Sequence, residues 1–146
     1  MRRLPLFYVA LYALVAFIIS YVFPGFLFVL PMIFIQSVFL FGILIIIWGA
    51  IQFRRKKTTL NPIKLDNTSK LVTNGIYAYS RNPMYLGFLF VLLSLCFYLE
   101  NYLSLIILPV FLFHLTQVQI IPEEKMLCQL FGNDYISYTK KVRRWI

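Results

Sequence analysis

Acidic residues are scarce in this 146-residue chain: five Asp and Glu stand against 14 Lys and Arg, for a formal net charge of +9. In a soluble protein that excess would suggest nucleic acid. Here the basic residues cluster beside apolar runs, which points to a membrane surface and leaves nucleic acid out of the expected partners. Histidine occurs once and cysteine twice. Cys96 lies in an apolar run and Cys128 in the tail, with no CxxC or other metal-ligand spacing. Neither a metal site nor a disulfide framework is therefore expected, and two free thiols in a reducing compartment are the simplest reading. Charge is also missing from the centres of the long apolar runs. That counts against a small four-span transporter, which would couple transport through an intramembrane charge.

Apolar residues fill the space. The chain is 61% hydrophobic, against roughly 45–50% in soluble domains, so lipid is the expected solvent. Four segments, about 4–23, 31–53, 83–99 and 102–121, are apolar enough to cross a bilayer core, which needs about 20 helical residues. The opening "MRRLPLFYVALYALVAFIISYVF" starts like a signal peptide. Its apolar run is too long for a typical h-region, and Ala10, Ala13 and Ala16 lie inside it, so it reads as a retained span. Pro24-Gly25 marks a turn. The brevity of Glu100-Asn101 makes spans three and four an antiparallel helical hairpin.

Every Lys and Arg precedes span one, lies between spans two and three, or follows span four. With four spans all of them fall on one side, which the positive-inside rule makes cytoplasmic, along with both termini. The expected fold is all-α: a polytopic, single membrane domain over 1–146, with a cytoplasmic loop 54–82 and a helical tail 122–146. These two polar regions are too long to be mere connectors, so an active site would be built from them.

The first polar region is "KLVTNGIYAYSRNPMYLG". Asn74-Gly75 signals a turn with positive φ at glycine. Asn82-Pro83 reads as a helix N-cap with proline at the first helical position. The start of that helix attracts a carboxylate or phosphate, and Arg81 adds a fixed charge suited to bidentate contacts. The alternative is an interfacial anchor in which Arg81 snorkels and Tyr77, Tyr79 and Tyr85 join an aromatic belt. The second region is "IPEEKMLCQLFGNDYISYTKKVRRWI". Pro122 suits the start of a fresh helix, Glu123-Glu124 its first turn and Gly132 its stop. The acidic pair is a candidate for a cation or a ribose hydroxyl, against an amphipathic interfacial helix whose acids only complement its dipole. In span four, His114 and Gln117 share a face and Gln119 lies four residues before Glu123. They either join helices through hydrogen bonds or line a cavity rising from the cytoplasmic site.

Together, "LVTNGIYAYSRNPMYLG" and "PEEKMLCQLFGNDYISYTKKVRRW" resemble the isoprenylcysteine carboxyl methyltransferase and phospholipid methyltransferase family of integral-membrane enzymes, in a prokaryotic form. The resemblance covers roughly Ser69 to Trp145. It implies a methyltransferase that uses S-adenosylmethionine, held in a cofactor pocket by Lys70, Leu71, Val72, Tyr77, Asn82, Pro83, Met84, Tyr85 and Glu123. Two departures are visible. The family often shows Arg-His-Pro where this chain has Arg81-Asn82-Pro83, and asparagine cannot titrate as a base. The eukaryotic prenylcysteine enzymes have a substrate-binding arginine where this chain has Gln119.

Methyl transfer from a sulfonium needs alignment and exclusion of water more than a strong base. Arg81 with Glu124 as fallback base are the expected catalytic groups, and Gln119, Arg143 and Arg144 the expected substrate contacts. The expected acceptor is a lipophilic or small molecule (a carboxylate, a thiol or a lipid head group) entering from the bilayer, in the prokaryotic inner membrane. The alternatives are a phospholipid amine N-methyltransferase and, from another class, a transporter or non-catalytic scaffold.

Overall fold

The computed structural model describes residues 5–25, 27–55 and 71–146, with the Arg55 side chain left aside. Its helices are α1 (Pro5–Val22), α2 (Met32–Arg55), α3 (Pro83–Tyr98), α4 (Ile107–Leu115), α5 (Ile121–Phe131) and α6 (Asn133–Lys141). Single 3-10 turns occupy Gly75–Ala78 and Tyr102–Ile106. There is no β-sheet among the described residues, only one isolated bridge between Leu27 and Asn101. Three helical stretches are long and apolar enough to cross a membrane: α1, α2 and a continuous 30-residue rod from Tyr102 to Phe131. Helix α3 is as apolar but has 16 residues. These helices mark an integral membrane protein.

Pro122 lies in the first turn of α5 with Glu123 and Glu124, as expected, but α5 is not detached from the fourth apolar run: a π-helical turn over Thr116–Ile120 runs straight into it. Proline cannot donate a backbone bond, and its ring crowds the carbonyl four residues back, here Val118 inside the π turn. The wider i→i+5 pattern of such a turn rearranges those bonds locally and lets the rod continue. The π turn also separates the polar residues of span four: Gln119 is fully buried while Gln117 is exposed. The stripe of His114, Gln117 and Gln119 therefore does not share one inner face. His114 instead bonds the Tyr12 hydroxyl of α1 through Nδ1 at 2.8 Å, the helix-joining alternative.

Helix α2 packs most extensively on α3, and glycines set the distance. A Cβ on Gly42 would sit 2.9 Å from the Gly87 carbonyl oxygen, and one on Gly87 would sit 2.7 Å from that of Gly42. Without side chains at this crossing the two backbones approach closely, as small residues permit in membrane bundles. The main core lies where α1, α3 and the rod meet, around Ala16, Leu92, Cys96, Phe111, Leu115 and Ile120. Outward faces such as Leu14, Phe17, Ile33, Leu44 and Phe113 stay exposed and apolar, as a lipid-facing surface should.

The two ends of the bundle differ in chemistry. At one end, the fully buried Asn101 joins the α3–α4 connection to the end of α1. Its Nδ2 donates to the Phe23 carbonyl at 2.7 Å, and its Oδ1 accepts from the Leu103 backbone at 2.9 Å. Preceding it, Glu100 takes φ +53°, and its carbonyl accepts from the Phe28 backbone at 2.9 Å. The expected helical hairpin is present, closed by this short turn. The opposite end gathers the C-terminus of α2, the turn Gly75–Ala78, the start of α3, and α5 and α6 with the final residues.

Candidate functional site

Gly75 takes φ +64°, as the Asn74-Gly75 turn predicts. The turn it begins buries Val72, Ile76 and Tyr77 against Ile45 of α2, with Phe53 packed alongside. The chain then reaches α3 at Asn82, which occupies the N-cap position without capping it. Its Nδ2 donates to the Arg144 carbonyl at 3.0 Å, and its own backbone N–H is taken by Ser80 Oγ at 3.1 Å. The cap expectation is thus corrected in use, not in place: the amide ties down the C-terminal tail. Pro83 opens α3 fully buried.

At the other wall Gly132, at φ +50°, ends α5, and the chain turns directly into α6. Helix α6 is amphipathic: Tyr135 and Tyr138 point inward with Val142, while Asp134, Ser137 and Lys141 face out. The Tyr138 hydroxyl donates to the Tyr77 carbonyl at 2.6 Å, joining the two polar regions.

Between the walls lies a cavity lined by Leu71, Val72, Tyr77, Arg81, Asn82, Glu123 and Glu124 from the expected set. The cavity is small, about 60 Å³. Phe53, Leu127, Phe131, Tyr135 and Tyr138 complete the lining. These five were not among the expected site residues. The inward pair on α6, three residues apart, was the signal that could have found Tyr135 and Tyr138. Tyr85 sits behind the wall, its hydroxyl donating to Glu123 Oε1 at 2.7 Å; Gln119 Nε2 donates to the same oxygen at 2.7 Å. Met84 lies against α2 at Gly49. Lys70 lies outside the described residues.

Charge concentrates at Glu124. Arg144 holds it with two parallel bonds, Nε to Oε1 at 3.0 Å and Nη2 to Oε2 at 2.7 Å, and Arg81 Nη1 approaches Oε1 at 3.1 Å. The hydrogen bond to Glu124 holds the Arg144 guanidinium above its usual pKa. Arg143 contributes its backbone, whose carbonyl accepts from the Arg81 N–H at 3.1 Å; the residue itself is exposed. Burial raises the phenols of Tyr77 and Tyr138, and pushes Tyr135 up to about 12. All three rings stay neutral at physiological pH. Among the described residues two buried side-chain atoms lack a hydrogen-bond partner: Arg81 Nε, a donor, and Gln119 Oε1, an acceptor. Groups of three or more His, Cys, Asp or Glu able to hold a metal are absent among the described residues.

Residues 30–134 match the phospholipid methyltransferase family. The protein-S-isoprenylcysteine O-methyltransferase of Schizosaccharomyces pombe is 40% identical over 72 residues, 49% of this chain and 30% of that protein. Its Saccharomyces cerevisiae counterpart is 38% identical over 79 residues, 54% of this chain and 33% of that protein. Protein-S-isoprenylcysteine O-methyltransferase B of Arabidopsis thaliana is 34% identical over 109 residues, 70% of this chain and 55% of that protein. The chain thus spans between about a third and about half the length of these relatives. No solved structure matches it. With its matched region running from before α2 into α6, the chain belongs to the phospholipid methyltransferase family.

Proposed function

We propose that the chain is an integral-membrane methyltransferase that binds S-adenosylmethionine in the cavity between the 71–82 segment and the α5–α6 tail. The observation that carries this reading is the cavity's set of polar groups. Glu123, fixed by Tyr85 and Gln119, lines the same cavity as Arg81, whose Nε is buried and unpaired. A zwitterionic nucleoside needs both signs of partner, and the wall offers both. Glu123 accepts from ribose hydroxyls or the amine. The start of α3 and Arg81 receive the carboxylate. Leu71, Val72 and Met84 supply apolar cover, and the Tyr77 ring serves the adenine or the sulfonium. Seating a ligand of that size requires the narrow walls to part.

Bound there, S-adenosylmethionine supplies a methyl group on a good leaving group. The chain's own work is then alignment and exclusion of water. Asn82 and Pro83 keep the start of α3 in register with the tail. Glu124, already shared by two guanidinium groups, is better suited to holding them than to accepting a proton. Arg143 and Arg144 are the contacts this reading gives to an anionic acceptor or a lipid phosphate, and Gln119 the one it gives to a lipophilic acceptor. The acceptor is a lipophilic or small molecule reaching the site from the bilayer. The relatives' names suggest a carboxylate; a thiol or lipid head group fits the same alignment chemistry. N-methylation of a phospholipid amine is the second reading, favoured by the family match.

The site lies at the cytoplasmic face under this proposal. Helix α3 is then the fourth crossing: its 16 residues run about 24 Å from the ionic end to the Asn101 end. Both termini are cytoplasmic, in a prokaryotic inner membrane. Titrating the purified protein with methyl-labelled S-adenosylmethionine tests the site. Saturable binding is expected in the wild type and its loss in Glu123→Ala, Tyr85→Ala; equal binding by both refutes it. Incubating membranes with the labelled compound, then weighing the labelled product, identifies the acceptor.

A further inference from the structure

The last five residues, Val142–Ile146, lie as a strap across the start of α3. Val142 is buried and Trp145 packs against the main core. Three polar ties hold the strap, and they converge. The carbonyls of Arg143 and Arg144 accept from Arg81 N–H and Asn82 Nδ2, and the Arg144 side chain holds Glu124. The result is an unequal division of one carboxylate. Arg144 takes both oxygens of Glu124 in a fork; Arg81 reaches one of them through Nη1 alone. The Nε edge of Arg81 is left buried, charged and unpaired at the cavity wall. A guanidinium and a carboxylate left to themselves prefer the two-bond arrangement, which can consume that edge. Arg144 therefore keeps Arg81 from closing on Glu124, while Glu124 keeps Arg81 from swinging away.

We propose that Glu124 and Arg144 are positioning residues that present the Nε edge of Arg81 to the carboxylate of the bound methyl donor, with the strap closed as the condition for this. The inference rests on the reading of the cavity as a donor site. It makes the tail part of ligand recognition: carboxylate reading exists only while Arg144 is docked.

The test compares binding of S-adenosylmethionine with binding of its decarboxylated analogue to the full chain in lipid nanodiscs. Thermal unfolding is followed in parallel. The wild type should prefer the carboxylate-bearing ligand by about tenfold or more, the usual size of a charge-assisted contact. In Glu124→Gln and in Arg144→Gln the preference should fall toward one. The double exchange Glu124→Arg with Arg144→Glu rebuilds the strap's ion pair with its charges swapped. It should raise the melting temperature above that of Glu124→Arg alone without recovering the preference, because Arg81 now faces an arginine. An unchanged preference in Glu124→Gln, or a preference restored by the exchange, overturns the proposal and reduces the cluster to a structural tie. A wild type that binds both ligands equally also overturns it, leaving the donor site intact. Binding of neither ligand by the wild type rejects the donor site itself, and the inference with it.

Discussion

The two ends of this bundle are closed by opposite means. At the Asn101 end one neutral side chain, fully buried, uses its amide as both donor and acceptor to join α1 to the α3–α4 turn. At the other end two guanidinium groups share one carboxylate, and two buried polar atoms of the described residues go without partners. Buried polar groups in folded proteins are nearly always satisfied. An end that satisfies them is finished by folding alone. An end that leaves a donor and an acceptor unmet is the one where the proposed ligand site lies. The comparison separates residues expected to govern stability from those expected to govern ligand affinity.

The strongest way to break it is at Asn101. Asn101→Leu keeps the volume but strands the Phe23 carbonyl and the Leu103 N–H. Each unpaired buried group costs about 1–3 kcal/mol, so a loss of about 3 kcal/mol is expected in denaturant unfolding, with ligand affinity of the folded fraction unchanged. A comparable drop in affinity would mean that the two ends are not independent. Next in size is Gly87→Val. Its side chain would meet the Gly42 carbonyl and Ile46, and overpacking of this kind costs about 1–3 kcal/mol. Since α3 carries Tyr85 at its first turn, this variant should lose stability and, through displacement of α3, some ligand affinity. Affinity at the wild-type level would show that the crossing does not set the position of Tyr85.

Much of this division was legible in the sequence, and the remainder fails for identifiable reasons. The apolar runs gave the membrane-spanning helices. The Asn74-Gly75 turn, the Glu100-Asn101 hairpin and the stop at Gly132 followed from local backbone rules. The end of the fourth apolar run did not, because Pro122 is accommodated by a π turn that depends on backbone rearrangement and not on residue preference. Asn82 was placed correctly but its partner was not, since the Arg144 carbonyl is 62 residues away. The residues of the Glu123-Glu124 stretch alone showed a pair, and the family resemblance alone gave the two different roles. A helix turns about 100° per residue, which sends Glu123 toward Tyr85 and Gln119, and Glu124 toward Arg81 and Arg144. Tyr135 and Tyr138 reach the cavity only because Gly132 lets α6 double back.

At the ionic end, Glu123→Gln should sharpen the contrast. It keeps the shape of the network around Tyr85 but removes the charge. Affinity for S-adenosylmethionine is expected to fall about tenfold, the scale of one charged hydrogen bond, while the melting temperature moves little. A melting temperature that falls as far as in Asn101→Leu would place Glu123 with the structural end.

The smallest expected effect concerns Tyr135. Burial pushes its phenol up to about 12, from an ordinary value near 10. Below about pH 10 the folded and unfolded chains both keep this proton, so the group adds no pH dependence there. Between about 10 and 12 the unfolded chain releases the proton while the folded chain holds it, and stability falls as pH rises. Melting curves collected from pH 8 to pH 11.5 should therefore stay flat at first and then decline. Tyr135→Phe has no proton to release and should decline less steeply over the same window. Tyr77 and Tyr138, raised in the same direction, would supply the remaining slope. The comparison of ends predicts that the decline belongs to this cluster. A Tyr135→Phe curve identical to the wild type would place the alkaline weakness elsewhere in the bundle.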